Sequence, residues 1–169
     1  MSNEWVNLHD GIKTTNIILS NDLVKDITDK ITLDASNSVR VSDVNSDATS
    51  SETYSPGLWK DTCYDDLFNI IDAKVNQDNT LKRYSSWVMK YTNNQKTNVH
   101  AHKDFDMVAI YYISAPKGSG VLYFSELNFE IKPSTGLLVV HDAKLRHGVR
   151  INTIEGIERY CAVLNYRYI

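Results

Sequence analysis

From Ser85 to the end, the chain keeps one rhythm: a short run of β-branched and aromatic residues, then a turn signal. The runs are "SWVMKY", "MVAIYYIS", "GVLYF", "FEIKP", "GLLVVH", "GVRIN" and "YCAVLNYRYI". "TNNQ", "APKGSG", "KPSTG" and "NTIEG" separate them. β-Branched and aromatic side chains suit a pleated, half-buried surface, whereas Gly, Pro and Asn interrupt it. A series of short strands with turns between them predicts a sandwich or barrel for this half.

The preceding half has a helical period. "NDLVKDITDKI" sets Leu23, Val24, Ile27 and Ile31 at helical spacing, with Ser20 or Asn21 available as a cap. "KDTCYDDLFNIIDAKVNQ" does the same with Leu67, Ile70, Ile71 and Val75. Between them, residues 34–57 are rich in Ser, Asp, Asn and Thr and predict a long loop, either a lid over a site or a solvated excursion. Helices followed by a run of strands give an α+β chain. At 169 residues it suits a single domain, 1–169. Residues 1–84 would form a helical support carrying the mobile loop 34–57, and 85–169 the β core.

Composition narrows the function classes. Eighteen Lys and Arg against 21 Asp and Glu leave a net charge of −3, with no global attraction to nucleic acid or an anionic membrane. Apolar runs of about six residues fall far short of the roughly 20 a membrane helix needs. Cys63 and Cys161 stand far apart, which argues against a disulfide framework and for a reducing compartment. The expectation is a cytoplasmic protein.

Chemistry concentrates in "HAHKDFD", His100 to Asp106. On its residues alone the segment is a charged surface loop, a histidine–carboxylate couple or part of a metal site. In a strand, side chains two apart share a face, so His102 and Asp104 can converge, and His100 joins them if the strand reaches back that far. An imidazole and a carboxylate are two-thirds of the facial triad that suits Fe(II). His147, 43 positions beyond Asp104 at the start of a strand, is the better third candidate. His141, ending "GLLVVH", is more simply a histidine at a strand end. The alternative is a three-histidine site from His100, His102 and His147 with Asp104 behind it, as suits zinc. Arg159 lies 12 positions after His147. Alternation puts Arg159, Cys161, Val163, Asn165 and Arg167 on one face of the last strand and Tyr160, Ala162, Leu164, Tyr166 and Tyr168 on the other. If the first face lines a cavity, Arg159 offers a fork to a carboxylate; otherwise it is a surface arginine.

"HKD" followed by "HGVRINTIEGIERYCAVLNY" resembles the 2-oxoglutarate- and Fe(II)-dependent dioxygenases, in their prolyl-hydroxylase-like branch. "GLLVVHDAKLRHGV", "GSGVLYF", "AIYYIS" and "WVMKYTNNQ" are similar to the surrounding strands of that family. The likeness covers residues 85–169 and extends loosely to the helices. It implies a double-stranded β-helix, a distorted jelly roll with N-terminal helices packed on it. It implies Fe(II) held by His102, Asp104 and His147, and 2-oxoglutarate as cosubstrate gripped by Arg159, with Tyr91 and Tyr111 as hydrogen-bonding helpers. Dioxygen and ascorbate complete the set. The implied reaction is hydroxylation of an unactivated C–H bond, with a prolyl residue of a peptide or protein as the favoured substrate and a small molecule as the second. A cupin-like metal-binding or structural module on the same barrel is the alternative. The chain departs from the family pattern at Cys161, where a small polar residue is usual, and at Asn165, where a Trp is frequent.

Overall fold

The computed structural model describes residues 4–38, 46, 48–50, 61–151 and 155–169. Most of the loop expected over 34–57 lies outside the described residues. Among the described residues, two α-helices and eleven strands follow in the order β1 (Val6–His9), β2 (Ile12–Asn16), α1 (Asn21–Ser36), β3 (Thr49–Ser50), α2 (Thr62–Val75), β4 (Leu81–Tyr91), β5 (Thr97–His100), β6 (Met107–Ser114), β7 (Leu122–Phe124), β8 (Phe129–Ile131), β9 (Leu137–Asp142), β10 (His147–Val149) and β11 (Arg159–Tyr168). Each of the seven predicted strand runs contributes to a strand, "GVRIN" only through Gly148 and Val149, and both predicted helices are helices.

Each helix starts where a side chain replaces a missing backbone partner. Ser20 Oγ accepts the Leu23 N–H at 3.2 Å, and an Asp61 carboxylate oxygen accepts the Cys63 N–H at 3.0 Å. The apolar stripes then face inward. Ile27, Ile31 and Ile71 are fully buried, each stabilising the fold by about 1.5–3 kcal/mol relative to exposure. Ile70, expected on the α2 stripe, is exposed, because the stripe follows Leu67, Ile71 and Val75 one turn apart.

The strands form two antiparallel sheets. One has seven strands in the order β1-β2-β9-β6-β11-β4-β3, the other four in the order β5-β10-β7-β8. From β4 onward the chain passes back and forth between the sheets, breaking the alternation only at the β7–β8 hairpin. This is a jelly-roll-like arrangement. The larger sheet is therefore covered on both faces. The helices pack on one face through Ile27, Ile31, Leu67 and Ile71 against Val88, Ala109, Tyr111 and Leu164. The smaller sheet packs on the other, through Leu122, Phe124 and Ile131 against Trp87, Ile110, Tyr112 and Val163.

The β1–β2 hairpin was not anticipated, although "HDGI" carries an Asp-Gly turn signal. Gly11 has φ +74° there, a value glycine adopts without steric cost. The hairpin extends the large sheet through β2–β9 pairing, from Ile12 opposite His141 to Asn16 opposite Leu137. Gly148, in β10, serves a different need. A Cβ at this position would sit 2.8 Å from the Thr97 carbonyl oxygen and 3.0 Å from the Tyr123 ring, so β5 and β10 approach as they do only because no side chain stands between them. Among the described residues, no helix is long and apolar enough to cross a membrane.

Candidate metal centre and its cavity

A cavity of about 430 Å³ opens between the two sheets. Its walls are Trp87, Met89 and Tyr91 from β4, Ile110 and Tyr112 from β6, Leu122 from β7, His147 and Val149 from β10, and Arg159, Cys161, Val163 and Asn165 from β11. His100 and His102 close one side. The predicted division of β11 into two faces holds: Arg159 to Asn165, taken alternately, line the cavity, and Tyr160, Ala162, Leu164 and Tyr166 join the helix-side core.

Register brings the histidines together. His147 in β10 is the direct cross-strand partner of His100 in β5. His102, two residues on, keeps to the same side. The ring centroids are 5.0 Å apart for His100–His102, 4.7 Å for His100–His147 and 5.2 Å for His102–His147. One ring nitrogen from each lies within 4.8 Å of the other two.

Hydrogen bonds decide which nitrogen each ring offers. His100 Nδ1 lies 2.9 Å from the Asn98 carbonyl oxygen, His102 Nδ1 2.8 Å from Asn165 Oδ1, and His147 Nδ1 3.0 Å from the Leu145 carbonyl oxygen. Carbonyl oxygens only accept, so in each neutral ring the proton sits on Nδ1 and the lone pair on Nε2. Trp87 stacks on His102 with planes 7° apart and centroids 6.1 Å apart, fixing its tilt. Burial lowers the pKa of all three rings. His102 falls to about 4 through burial and then the charge of His100, against the opposing Asn165 bond; His147 is held well below its ordinary value by burial and then by His141. Neutral rings bound by Nδ1 donation are the form in which histidine ligates metals. Three lone pairs turned toward one another, with no proton among them, form a donor set that fits a divalent metal.

The structure places the other predicted residues differently. Asp104 lines the cavity mouth but is exposed, and its carboxylate does not join His102 and His147 in the cluster. Strand alternation does not carry through to 104, because β5 ends at His100. The Phe105 N–H donates to the His102 carbonyl at 3.0 Å, closing a turn with Lys103 and Asp104 at its corners. Tyr111 is not at the site. It faces the helices, and its hydroxyl donates to the Ile17 carbonyl at 3.0 Å; its neighbour Tyr112 faces the cavity instead. His141 is buried outside the cluster, its Nδ1 2.8 Å from the Asp142 carbonyl and its ring edge-on to His147.

Arg159 is 2% exposed, and among the described residues it has no carboxylate partner. One terminal nitrogen donates to the Gly120 carbonyl at 2.6 Å, while its Nε has no partner. Tyr91 supports it as a platform, the guanidinium lying 3.9 Å from the ring centroid. The Tyr91 hydroxyl is bonded to Thr97 Oγ1 at 2.6 Å, and Thr97 Oγ1 donates to Ser46 Oγ at 2.8 Å. Two further wall residues carry buried donors without a partner, Trp87 Nε1 and the Tyr112 hydroxyl. A buried cation with no anion is costly, and buried donors without acceptors add to that cost. The cavity is therefore chemically suited to an anionic ligand rich in acceptors, with the guanidinium over Tyr91 and the indole four residues away along β4, against His102.

No family model and no curated protein matches the chain in sequence. Solved structures match in fold. The viral collagen prolyl hydroxylase from Paramecium Bursaria Chlorella virus-1, in complex with 2-oxoglutarate, aligns at 17% identity and a TM-score of 0.64, over 96% of this chain and 100% of that one. A prolyl hydroxylase from Trichoplax adhaerens, in complex with a hypoxia inducible factor peptide fragment, aligns at 15% and 0.66, over 94% and 84%. The epimerase SnoN, in complex with Fe3+, alpha ketoglutarate and nogalamycin RO, aligns at 12% and 0.68, over 94% and 79%. The chain thus shares its fold with 2-oxoglutarate- and iron-dependent oxygenases, prolyl hydroxylases and an epimerase among them.

Proposed function

We propose that this chain is a 2-oxoglutarate- and Fe(II)-dependent dioxygenase built on a double-stranded β-helix, and that it hydroxylates an unactivated C–H bond, in the first instance of a prolyl residue in a peptide or protein. The observation that carries the proposal is one cavity holding both converging imidazole lone pairs and a buried guanidinium without an anion. Iron, when bound with 2-oxoglutarate and dioxygen, would supply the oxidising power for the C–H bond, 2-oxoglutarate leaving as succinate and carbon dioxide. Ascorbate would serve as an auxiliary reductant.

The residues of the chain do the positioning. His102 and His147 would hold the metal, each kept by its carbonyl acceptor in the tautomer that leaves Nε2 unprotonated. Arg159 pairs with the distal carboxylate of the cosubstrate, an interaction that offsets the cost of burying its charge. Trp87 and Tyr112 supply the further donors. Phe105 and Val149, with Ile110 deeper in, give apolar walls suited to a prolyl ring. A cytoplasmic location accords with Cys63 and Cys161, both free thiols.

Succinate release, measured with Fe(II), 2-oxoglutarate and a panel of proline-containing peptides against free amino acids, tests the proposal. Turnover that needs iron and rises with a proline peptide is expected. Stimulation by free amino acids alone would overturn the prolyl assignment, and no succinate under any condition would remove the oxygenase. A second reading has its own support, since three imidazoles also suit zinc in a cupin-like binding module. Anaerobic Fe(II) with 2-oxoglutarate should give a visible charge-transfer band in the oxygenase and none in that module.

A further inference from the structure

We propose that the metal in this chain is held by three histidines, His100, His102 and His147, and that Asp104 is not a ligand. The inference rests on the site being a metal centre, and deepens that reading by assigning its ligands. Three observations carry it. The first is placement: His100 is paired directly with His147 across β5 and β10, and His102, just past the end of β5, keeps its ring centroid 5.0 Å and 5.2 Å from theirs. The second is proton placement. All three Nδ1 atoms are committed to carbonyl acceptors, so His100 offers its Nε2 lone pair on the same terms as the other two. His100 Nε2 and His102 Nε2 stand 3.1 Å apart, and with both protons on Nδ1 neither atom can donate to the other. Two facing lone pairs at that separation repel unless a cation lies between or beside them. The third is the turn that closes at Phe105, which carries the Asp104 carboxylate to the exposed rim.

Asn165 has a place in the same arrangement. Its Oδ1 orients His102, and its Nδ2 donates to Ser85 Oγ at 3.0 Å, which fixes the amide in turn. It acts as a positioning residue. Three neutral ligands leave the full double charge of a divalent ion at the centre, where a carboxylate would have halved it. The ligand that fills the cavity must then carry the compensating negative charge.

The test is Co(II) binding to the full chain, followed by calorimetry and by the visible spectrum of the bound ion, in the absence of 2-oxoglutarate. His100→Gln, His102→Gln and His147→Gln should each weaken binding by about 100-fold or more, since even partners one bond removed from a metal cost about 10–100-fold. Asp104→Asn should leave affinity and spectrum unchanged. Asn165→Leu should weaken binding by about 10-fold, with a circular dichroism melt confirming that the variant is folded. His100 and Asp104 are both less than fully buried, so these two variants read ligation rather than folding. Loss of binding in Asp104→Asn with retention in His100→Gln would overturn the proposal while leaving the oxygenase reading standing. Three-histidine binding without succinate formation would do the reverse. No binding by the parent chain would end both.

Discussion

Each face of the seven-stranded sheet buries an apolar cluster, yet the two differ in the kind of polar atom they leave without a partner. Toward the helices, Tyr111 donates to the Ile17 carbonyl and the Tyr160 hydroxyl meets Thr32 Oγ1 at 2.9 Å, and the unpaired Tyr166 hydroxyl and Arg83 Nη1 share their side with an unpaired acceptor, Asp72 Oδ1. Toward the smaller sheet, the Arg159 Nε, the Tyr112 hydroxyl and the Trp87 indole N–H are buried without partners. One face keeps unpaired donors and an acceptor together in one place; the other holds a cation and donors for which a ligand can supply the acceptor. Adjacent residues of β6 and β11 contribute to both, so a one-residue difference in position separates structural from chemical roles.

Matched substitutions on the two faces should separate them. Leu164→Ala, on the helix side and fully buried, should cost about 2–5 kcal/mol in chemical denaturation, because the surrounding core cannot collapse into the gap. Val163→Ala should cost only about 1–2 kcal/mol, since it enlarges a space that already exists. Equal losses would break the comparison. Arg159→Met should leave stability unchanged or raise it, because a buried unpaired charge is removed. The same variant should raise the 2-oxoglutarate requirement by about 30-fold, the equivalent of about 2 kcal/mol for truncating one partner of a buried charge pair. A strongly destabilised Arg159→Met would show that the guanidinium is structural. The finest comparison is between neighbouring tyrosines. Tyr111→Phe should cost about 1 kcal/mol, leaving the Ile17 carbonyl without its donor. Tyr112→Phe should cost almost nothing in stability and should weaken cosubstrate binding instead, as a thermal-shift titration would show.

Where the sequence pattern was amphipathic, its parity was legible. β11 alternates charged or polar residues with aromatic ones near its ends, and this fixed which side Arg159 and Asn165 would take. "MVAIYYIS" carries no such information. It is buried on both faces, so apolar residues occupy every position and the parity of Tyr111 against Tyr112 is lost. The turn at Asp104 was hidden for a different reason. The turn after His102 is built without Gly or Pro, so nothing in "HKDF" announced that alternation would stop. The N-terminal hairpin carries its Asp-Gly signal in "HDGI". The face of Asn165 is legible from alternation, but its bond to His102 depends on a 63-residue separation that no local pattern records.

The glycine at 148 makes the three imidazole rings hostage to a residue with no ligand atoms of its own. A single methyl group there would act as a wedge against the carbonyl of Thr97, the partner of Val149, prising β5 from β10 beside the rung where His100 faces His147. The spacing of the nitrogen donors is thus gauged by the thickness of bare backbone, and tolerance to change at this rung is set by geometry before any chemistry is involved.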